Sequence, residues 1–299
     1  MIRSEAETLR VFFDRIYAPR KLRGCSKNTR RLFLIQFRHF AKFLGREPTL
    51  LDLTDDQVNE FLTAHAIGRA VPTVNCAHDK LLALWRFAAR KALVPNWPDV
   101  KRQREPERIP RAWLLHELDA LLESCALQPG SITDVPANAW WLALITTAWY
   151  TAERIGALMA LRWKDYADGW LTIPAEVRKG KTRDKLHRLP SDAIQCLDAI
   201  RQPTRELIFP WPYDSGTLYN HFKVILKRAD LPTDRKSKFH RIRKTSASYF
   251  QARGGNAQRL LDHHDGETTQ HYLDPRVIGE QQGADLLPAP RQSIARNSC

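Results

Sequence analysis

The sequence predicts a mainly α-helical protein in two parts, an N-terminal four-helix domain followed by a mostly helical domain with one small antiparallel β-hairpin. Three observations predict it. Apolar side chains recur at helical spacing through the first hundred residues, and a stretch with four prolines at 95–111 then breaks the pattern. Beyond that break, further helical patterns flank one pair of strand-like runs, DGWLTIPAEV and HRLP. At 299 residues the chain is long enough to bury two cores.

The first helix follows from Leu9, Phe12, Phe13, Ile16 and Tyr17, which form one apolar stripe. A second starts near Ser26 or Asn28. It turns Phe33, Phe37, Phe40 and Leu44 inward and leaves Arg30, Arg31, Arg38 and Lys42 on outer faces. Thr54 and Gln57 have the spacing of a capping box and open a third helix through Val58, Phe61 and Leu62. A fourth, from about Thr73 to Leu93, buries Leu81, Leu84, Trp85 and Ala88. These elements place the first domain at 1–94. The linker at 95–111, PNWPDVKRQREPERIPR, is kept extended by its prolines and crowds Lys101, Arg102, Arg104, Arg108 and Arg111 together. The second domain spans 112–275, with helices near 114–125, 137–151, 155–162, 191–201, 215–229 and 241–253. A tail of weak periodicity covers 276–299.

Composition narrows the function. Lys and Arg number 47 against 33 Asp and Glu, a net charge of +14 that favours a polyanionic partner through counterion release. Outward basic residues are equally compatible with simple solvation. The five cysteines are scattered without a CxxC pair, which argues against a disulfide framework or a cysteine zinc site and fits a reducing cytoplasm. No apolar run approaches the roughly 20 residues that span a bilayer, and the first residues lack the apolar core of a signal peptide. A cytoplasmic protein with no membrane partner is expected, nucleoid-associated if it is bacterial. GxxxxGK[ST], GxGxxG and HExxH are all absent, so nucleotide hydrolysis and zinc-protease chemistry lose support.

Several polar residues stand out in the second domain. Arg154 interrupts the apolar stretch WYTAERIGALMALRW, where an arginine needs a matching charge. Lys179 falls at the tip of the hairpin, in VRKGKTRDKLHRLP. His240 and Arg243 in FHRIRKTSASYF share a helical face at i, i+3. LDHHDGETTQHYLD, residues 261–274, gathers three histidines and three aspartates. Alone it fits a metal site, a polar surface loop, or one piece of a site assembled from distant chain. Tyr272 has Leu273 as its only apolar neighbour in sequence and is expected to be accessible rather than core.

These residues, in this order and spacing, resemble the tyrosine recombinase family of phage-type integrases. AERIGALMALRW resembles the segment around the family's first catalytic arginine, VRKGKTRDKLHRLP its lysine-bearing hairpin, and HRIRKTSASYF its HxxR helix. LDHHDGETTQHYLD resembles its LGH…TT..Y segment, with Tyr272 nine positions after His263 and with Thr268 and Thr269 in place. Three departures are visible. Asp262 stands where the family usually has glycine, Ala157 replaces an acidic residue often found three positions after the first arginine, and the stretch between Arg243 and His263 is short.

The resemblance implies a catalytic set of Arg154, Lys179, His240, Arg243, His263 and Tyr272, and a core-binding role for the first domain and linker. Arg30, Arg31, Arg38, Lys42, Lys101, Arg102 and Arg104 are the candidate DNA contacts. Metal-free cleavage of a phosphodiester requires a nucleophile, charge compensation on the non-bridging oxygens, and an acid for the leaving oxygen. The resemblance assigns these to Tyr272, to Arg154, Arg243 and His263, and to Lys179, with His240 receiving the tyrosine proton. It implies site-specific recombination of double-stranded DNA through a 3′-phosphotyrosyl intermediate, without ATP, metal or another cofactor. It also implies a homotetramer on two DNA sites, with an accessory DNA-bending protein as a further partner. Three competing readings are a DNA-binding relative that has lost cleavage, a type IB topoisomerase-like relaxing activity, and a metal-dependent hydrolase. His264 and His271 are expected to be solvated neighbours. Asp262 is expected to weaken phosphate binding unless it points away or pairs with a cation.

Overall fold

Aromatic rings from four helical segments make the first core. The structure, a computed structural model, describes residues 7–178, 180, 183–202 and 204–279. They divide into two compact units, Met1–Glu107 and Arg108–Cys299. In the first, α1 (Leu9–Phe12) continues through a π turn at Phe13–Tyr17 into α2 (Ala18–Lys21). Pro19 lies just past the widened turn and has no N–H for the carbonyl four residues back, which removes one α-helical bond there. α3 (Lys27–Leu44) is capped by Ser26, whose hydroxyl accepts the Thr29 N–H at 3.2 Å, and it ends on Gly45 in the left-handed region. α4 (Asp55–Ala66) starts on Thr54, with two aspartates in its first turn facing the positive end of the helix dipole. α5 (Val71–Arg90) begins two residues ahead of the expected Thr73, because Pro72 is tolerated in a first turn whose N–H groups need no partner.

The predicted stripes meet as expected. Phe13 packs on Phe33 at 5.0 Å between ring centroids and Phe40 on Phe61 at 5.0 Å, while Leu81, Leu84, Trp85 and Ala88 are fully buried. The proline-rich stretch forms no helix or strand, but its first part is fastened along α5. Trp85 Nε1 donates to the Asn96 carbonyl, His78 Nε2 lies 2.9 Å from the Val100 carbonyl, and Asn75 exchanges hydrogen bonds with the Gln103 backbone. The division between units therefore falls late in the stretch, between Glu107 and Arg108.

The second unit is built around an apolar helix. α6 (Leu115–Ala126) leads to a short ladder of β1 (Ser131–Ile132) and β2 (Val135–Pro136), and then to α7 (Ala137–Thr151). α7 buries Trp140, Trp141, Leu144 and Ile145 and is apolar nearly all round, as a central core helix must be. After α8 (Ile155–Leu158), β3 (Tyr166–Ala167), β4 (Trp170–Ile173) and β5 (Lys185–Arg188) form an antiparallel sheet in the order β3-β4-β5. The hairpin expected from sequence is β4–β5, with Leu171 opposite His187 and Ile173 opposite Lys185. The small antiparallel sheet expected in a mostly helical domain is present; β1, β2 and β3, which are additional to the hairpin, have two residues each, too few to display a period of two. α9 (Ser191–Asp198), α10 (Ser215–Arg228) and α11 (Phe239–Ala252) complete the core, where Phe222 stacks on Phe239 at 4.2 Å.

Three short helices follow: α12 (Ala257–Leu261), α13 (Gly266–Gln270) and α14 (Pro275–Ile278). Asn256, Asp265 and Asp274 cap them by accepting backbone N–H groups, so these three polar residues have local structural tasks. The segment read as an irregular tail thus begins with a helical turn, and 280–299 lie outside the described residues. No helix among the described residues is long and apolar enough to cross a membrane.

Candidate active site

α7 stops because Ala152 turns left-handed, at φ 52°, and is fully buried there. Its carbonyl, freed from the helix ladder, accepts a hydrogen bond from Arg243 Nη1. Nη2 of the same guanidinium donates to the Leu261 carbonyl at 2.6 Å, at the end of α12. Arg243 is 1% exposed and ties three segments together from α11. Burial first, and then the field of Arg154, lower its pKa to about 10, so it stays charged at neutral pH. Arg154, half-buried at the start of α8, has no side-chain hydrogen bond among the described residues. With Glu153, Ile155, Tyr219, Phe239, His240 and Arg243 it lines a cavity of about 200 Å³. Two guanidiniums facing one small cavity make a site suited to an anion with planar oxygen pairs.

Tyr272 stands beside this cavity. Its ring centroid is 5.0 Å from that of His240 and 4.7 Å from that of His263, while the Arg243 guanidinium lies 5.8 Å away. The expectation of an accessible tyrosine is modified: the ring is half-buried and packs against the small cluster of Ala152, Ala247, Leu261 and Leu273. Main-chain bonds hold it. The Tyr272 N–H donates to the Thr269 carbonyl, and its carbonyl accepts from Ser248 Oγ on α11. Two residues on, the fully buried Asp274 accepts the Ala112 N–H at 2.7 Å and the Arg276 guanidinium at 2.6 Å. The tyrosine therefore comes to the arginines of its own chain.

Both histidines are neutral at pH 7. Partial burial, then Lys244, Arg243 and Arg154, bring His240 down to about 4. Burial, then Arg243 and Arg154, bring His263 down to about 4 as well. His263 Nδ1 lies 3.2 Å from the Thr269 hydroxyl, and its buried Nε2 has no partner among the described residues. When Thr269 donates to Nδ1, the proton sits on Nε2, free for an oxygen placed in the site. His264 and His271 are exposed, and no group of three or more His, Cys, Asp or Glu among the described residues is placed to hold a metal ion.

Lys179 lies outside the described residues. Among the described residues, sequence reasoning missed a buried charge cluster. The Glu153 side chain is 1% exposed, with Lys185 Nζ at 3.4 Å, Arg178 Nη2 at 3.5 Å and His187 Nε2 at 3.9 Å. Burial alone would raise the Glu153 pKa, but His187, Lys185, Arg243 and Arg178 together outweigh it and hold it at about 2. Burial lowers Lys185 to about 8, against the upward pull of Glu153. A signal was present in the sequence. In KLHRL the inward positions of β5 are Lys185 and His187 while Leu186 is 59% exposed, an inverted pattern that marks a polar interior. The carboxylate missing at Ala157 is thus matched by one immediately before Arg154.

Glu153→Gln is expected to destabilise the fold by about 3–5 kcal/mol, because buried cations lose their anion. A depressed carboxylate contributes its stability above its unfolded pKa of 4.5 and loses it as pH falls toward about 2. The acid limb of a denaturation-versus-pH curve should therefore flatten in the variant. NMR titration should show Lys185 moving below about 8, since the group that raises it is gone. An unchanged Lys185 titration would contradict this picture of the cluster.

Of the candidate DNA contacts, Arg31, Arg38 and Lys42 fall within one narrow face of α3 and are exposed without a carboxylate partner among the described residues. Arg30 pairs with Asp14 at 3.3 Å, and Arg102 with Glu105 at 2.7 Å and Asp79 at 3.5 Å. Lys101 and Arg104 are exposed.

A helical fold that brings a tyrosine, two histidines and two arginines around one small cavity defines a protein of the tyrosine recombinase class. Residues 115–277 match the family described as the phage integrase family, and the chain belongs to it. A putative integrase/recombinase of Sinorhizobium fredii is 24% identical over 93% of this chain and 89% of its own length. The integrase of Escherichia phage HK022 is 23% identical over 91% of this chain and 77% of its own. In fold, the chain is similar to a lambda integrase fragment solved as a dimer bound to a COC′ core site. That likeness has a TM-score of 0.71 at 19% identity, covering 92% of this chain and 98% of that one.

Proposed function

We propose that the protein cleaves and rejoins double-stranded DNA at specific sites through a covalent link to Tyr272. The observation that carries this reading is the Tyr272 ring set against His240 and His263, beside the cavity that Arg154 and Arg243 line. Two guanidiniums would hold the non-bridging oxygens of one phosphodiester, and His263 Nε2 would donate a further bond. The phenol oxygen attacks phosphorus and His240, neutral at pH 7, takes its proton. A histidine near 4 is a weak base for a phenol, so the charge on the bound phosphate and the arginine field carry much of the ionisation.

The P–O5′ bond breaks as the P–O(Tyr) bond forms, and Lys179, by the family resemblance, supplies a proton to the departing 5′ oxygen. One phosphate ester replaces another. The link therefore conserves the bond for rejoining by a 5′-hydroxyl, with no call on ATP or a metal ion. Each positioned donor or acid is worth about 2–4 kcal/mol of barrier. A lambda integrase tetramer solved on a Holliday junction supports strand exchange by a tetramer on two sites. The exposed basic stripe on α3 supports phosphate contacts by the first unit.

Incubation with a duplex nicked near its cleavage point, in the presence of EDTA, tests this reading. A covalent protein–DNA adduct is expected, and mass spectrometry of the proteolysed adduct should place the nucleotide on Tyr272. Tight binding with no adduct would instead identify a binding protein of this fold.

A further inference from the structure

The residue after α12 must turn left-handed to end the helix, and Asp262 does so at φ 54° with its N–H on the Arg259 carbonyl. This region favours glycine, and aspartate tolerates it better than most side chains. The structure shows what the carboxylate adds. Its Oδ2 lies 3.0 Å from Arg178 Nη2, and its Oδ1 accepts from both Nη2 and Nε of Arg183, the latter at 3.1 Å. Arg178 and Arg183 both belong to the connection between β4 and β5. Asp262 is one of three consecutive anchors at this helix end. Lys185 of β5 donates to the Leu260 carbonyl, and Arg243 of α11 donates to the Leu261 carbonyl. The next residue is His263, whose N–H is spent on the Gln258 carbonyl and whose ring faces Tyr272.

We propose that Asp262 is a positioning residue, which clamps the β4–β5 connection through Arg178 and Arg183 to the turn that sets His263. This deepens the cleavage reading of the preceding section and rests on it. The carboxylate does not act as a free anion near the phosphate, because both of its oxygens are engaged by guanidiniums. The Arg178 side chain is 5% exposed and that of Asp262 18%, so solvent screens their pair less than it would an open surface pair. Arg178 also reaches Glu153, which extends the clamp to the residue beside Arg154.

Asp262→Gly separates positioning from simple structural support, because glycine relieves the left-handed backbone while removing the clamp. The expected result is a lower melting temperature, because relief of the left-handed backbone offsets only part of the loss of an anion from the buried Arg178, with unchanged affinity for the nicked duplex and a rate of adduct formation at least tenfold lower in the folded variant. Arg183→Ala should lower the same rate, and the double variant should fall no further than the single ones. An Asp262→Gly protein that cleaves as fast as or faster than the parent overturns the inference, as do additive effects in the double variant. Absence of adduct from the unmutated protein overturns the cleavage reading itself and the inference with it.

Discussion

Tyr272→Phe is expected to remove the covalent DNA adduct while leaving folding and DNA binding as they were. The substitution deletes one oxygen and keeps the ring that packs beside His240 and His263. The bonds that place the residue come from its main chain, through Thr269 and Ser248, and phenylalanine retains them. Unfolding free energy should therefore change by no more than about 0.5 kcal/mol, as for substitutions that disturb no core packing or buried pair. The rate of strand cleavage should fall by about 10⁴–10⁶-fold, the scale seen when a covalent nucleophile is deleted. Denaturing gels of a nicked duplex and filter binding of the intact site measure the two effects separately. Adduct that survives the substitution would show that another side chain attacks phosphorus, and the role given to Tyr272 would fall.

Much of the first unit was legible because its helices carry dense apolar stripes with ordinary caps. Phe33, Phe37 and Phe40 on α3 and Leu81, Leu84 and Trp85 on α5 were each assigned inward from spacing alone. The two-residue strands were not legible, since pairing at that length depends on the partner and leaves no period in the sequence. The site divides the same way. His240, Arg243, His263 and Tyr272 sit in motifs that survive as local patterns, and the structure brings them together. Glu153, Arg178 and Lys185 lie inside the quoted stretches, but no local spacing pairs them, and only the tertiary register of β5 against β4 and α12 makes them neighbours. Asp262 was noticed as a departure, but its meaning required the partners that reach it from about 80 positions earlier in the chain. Charge clusters assembled this way are specified by the fold, whereas each residue read alone looks like a solvated surface charge.

The two arginines provide the sharper test of how the site divides its donors. Arg243 has two obligations. Nη1 and Nη2 satisfy the carbonyls of Ala152 and Leu261, ends of two different helices, and what remains of the fork is available to a phosphate. A lysine presents its donors from a single point and cannot span both carbonyls, so Arg243→Lys leaves a buried acceptor unpaired. A stability loss of about 1–3 kcal/mol follows, together with a cleavage rate lower by about 10²–10³-fold. Arg154 has no such obligation among the described residues, and its half-buried fork is free for the substrate. Arg154→Lys should therefore lower the cleavage rate by a similar factor of about 10²–10³ while costing less than about 0.5 kcal/mol of stability. Urea denaturation and single-turnover cleavage of a nicked duplex would place the variants on two axes, apart on the first and together on the second. Equal stability losses would mean that the Ala152 and Leu261 carbonyls do not depend on Arg243. A cleavage rate untouched in Arg154→Lys would mean that planar, paired donation at that position is not what the phosphate requires.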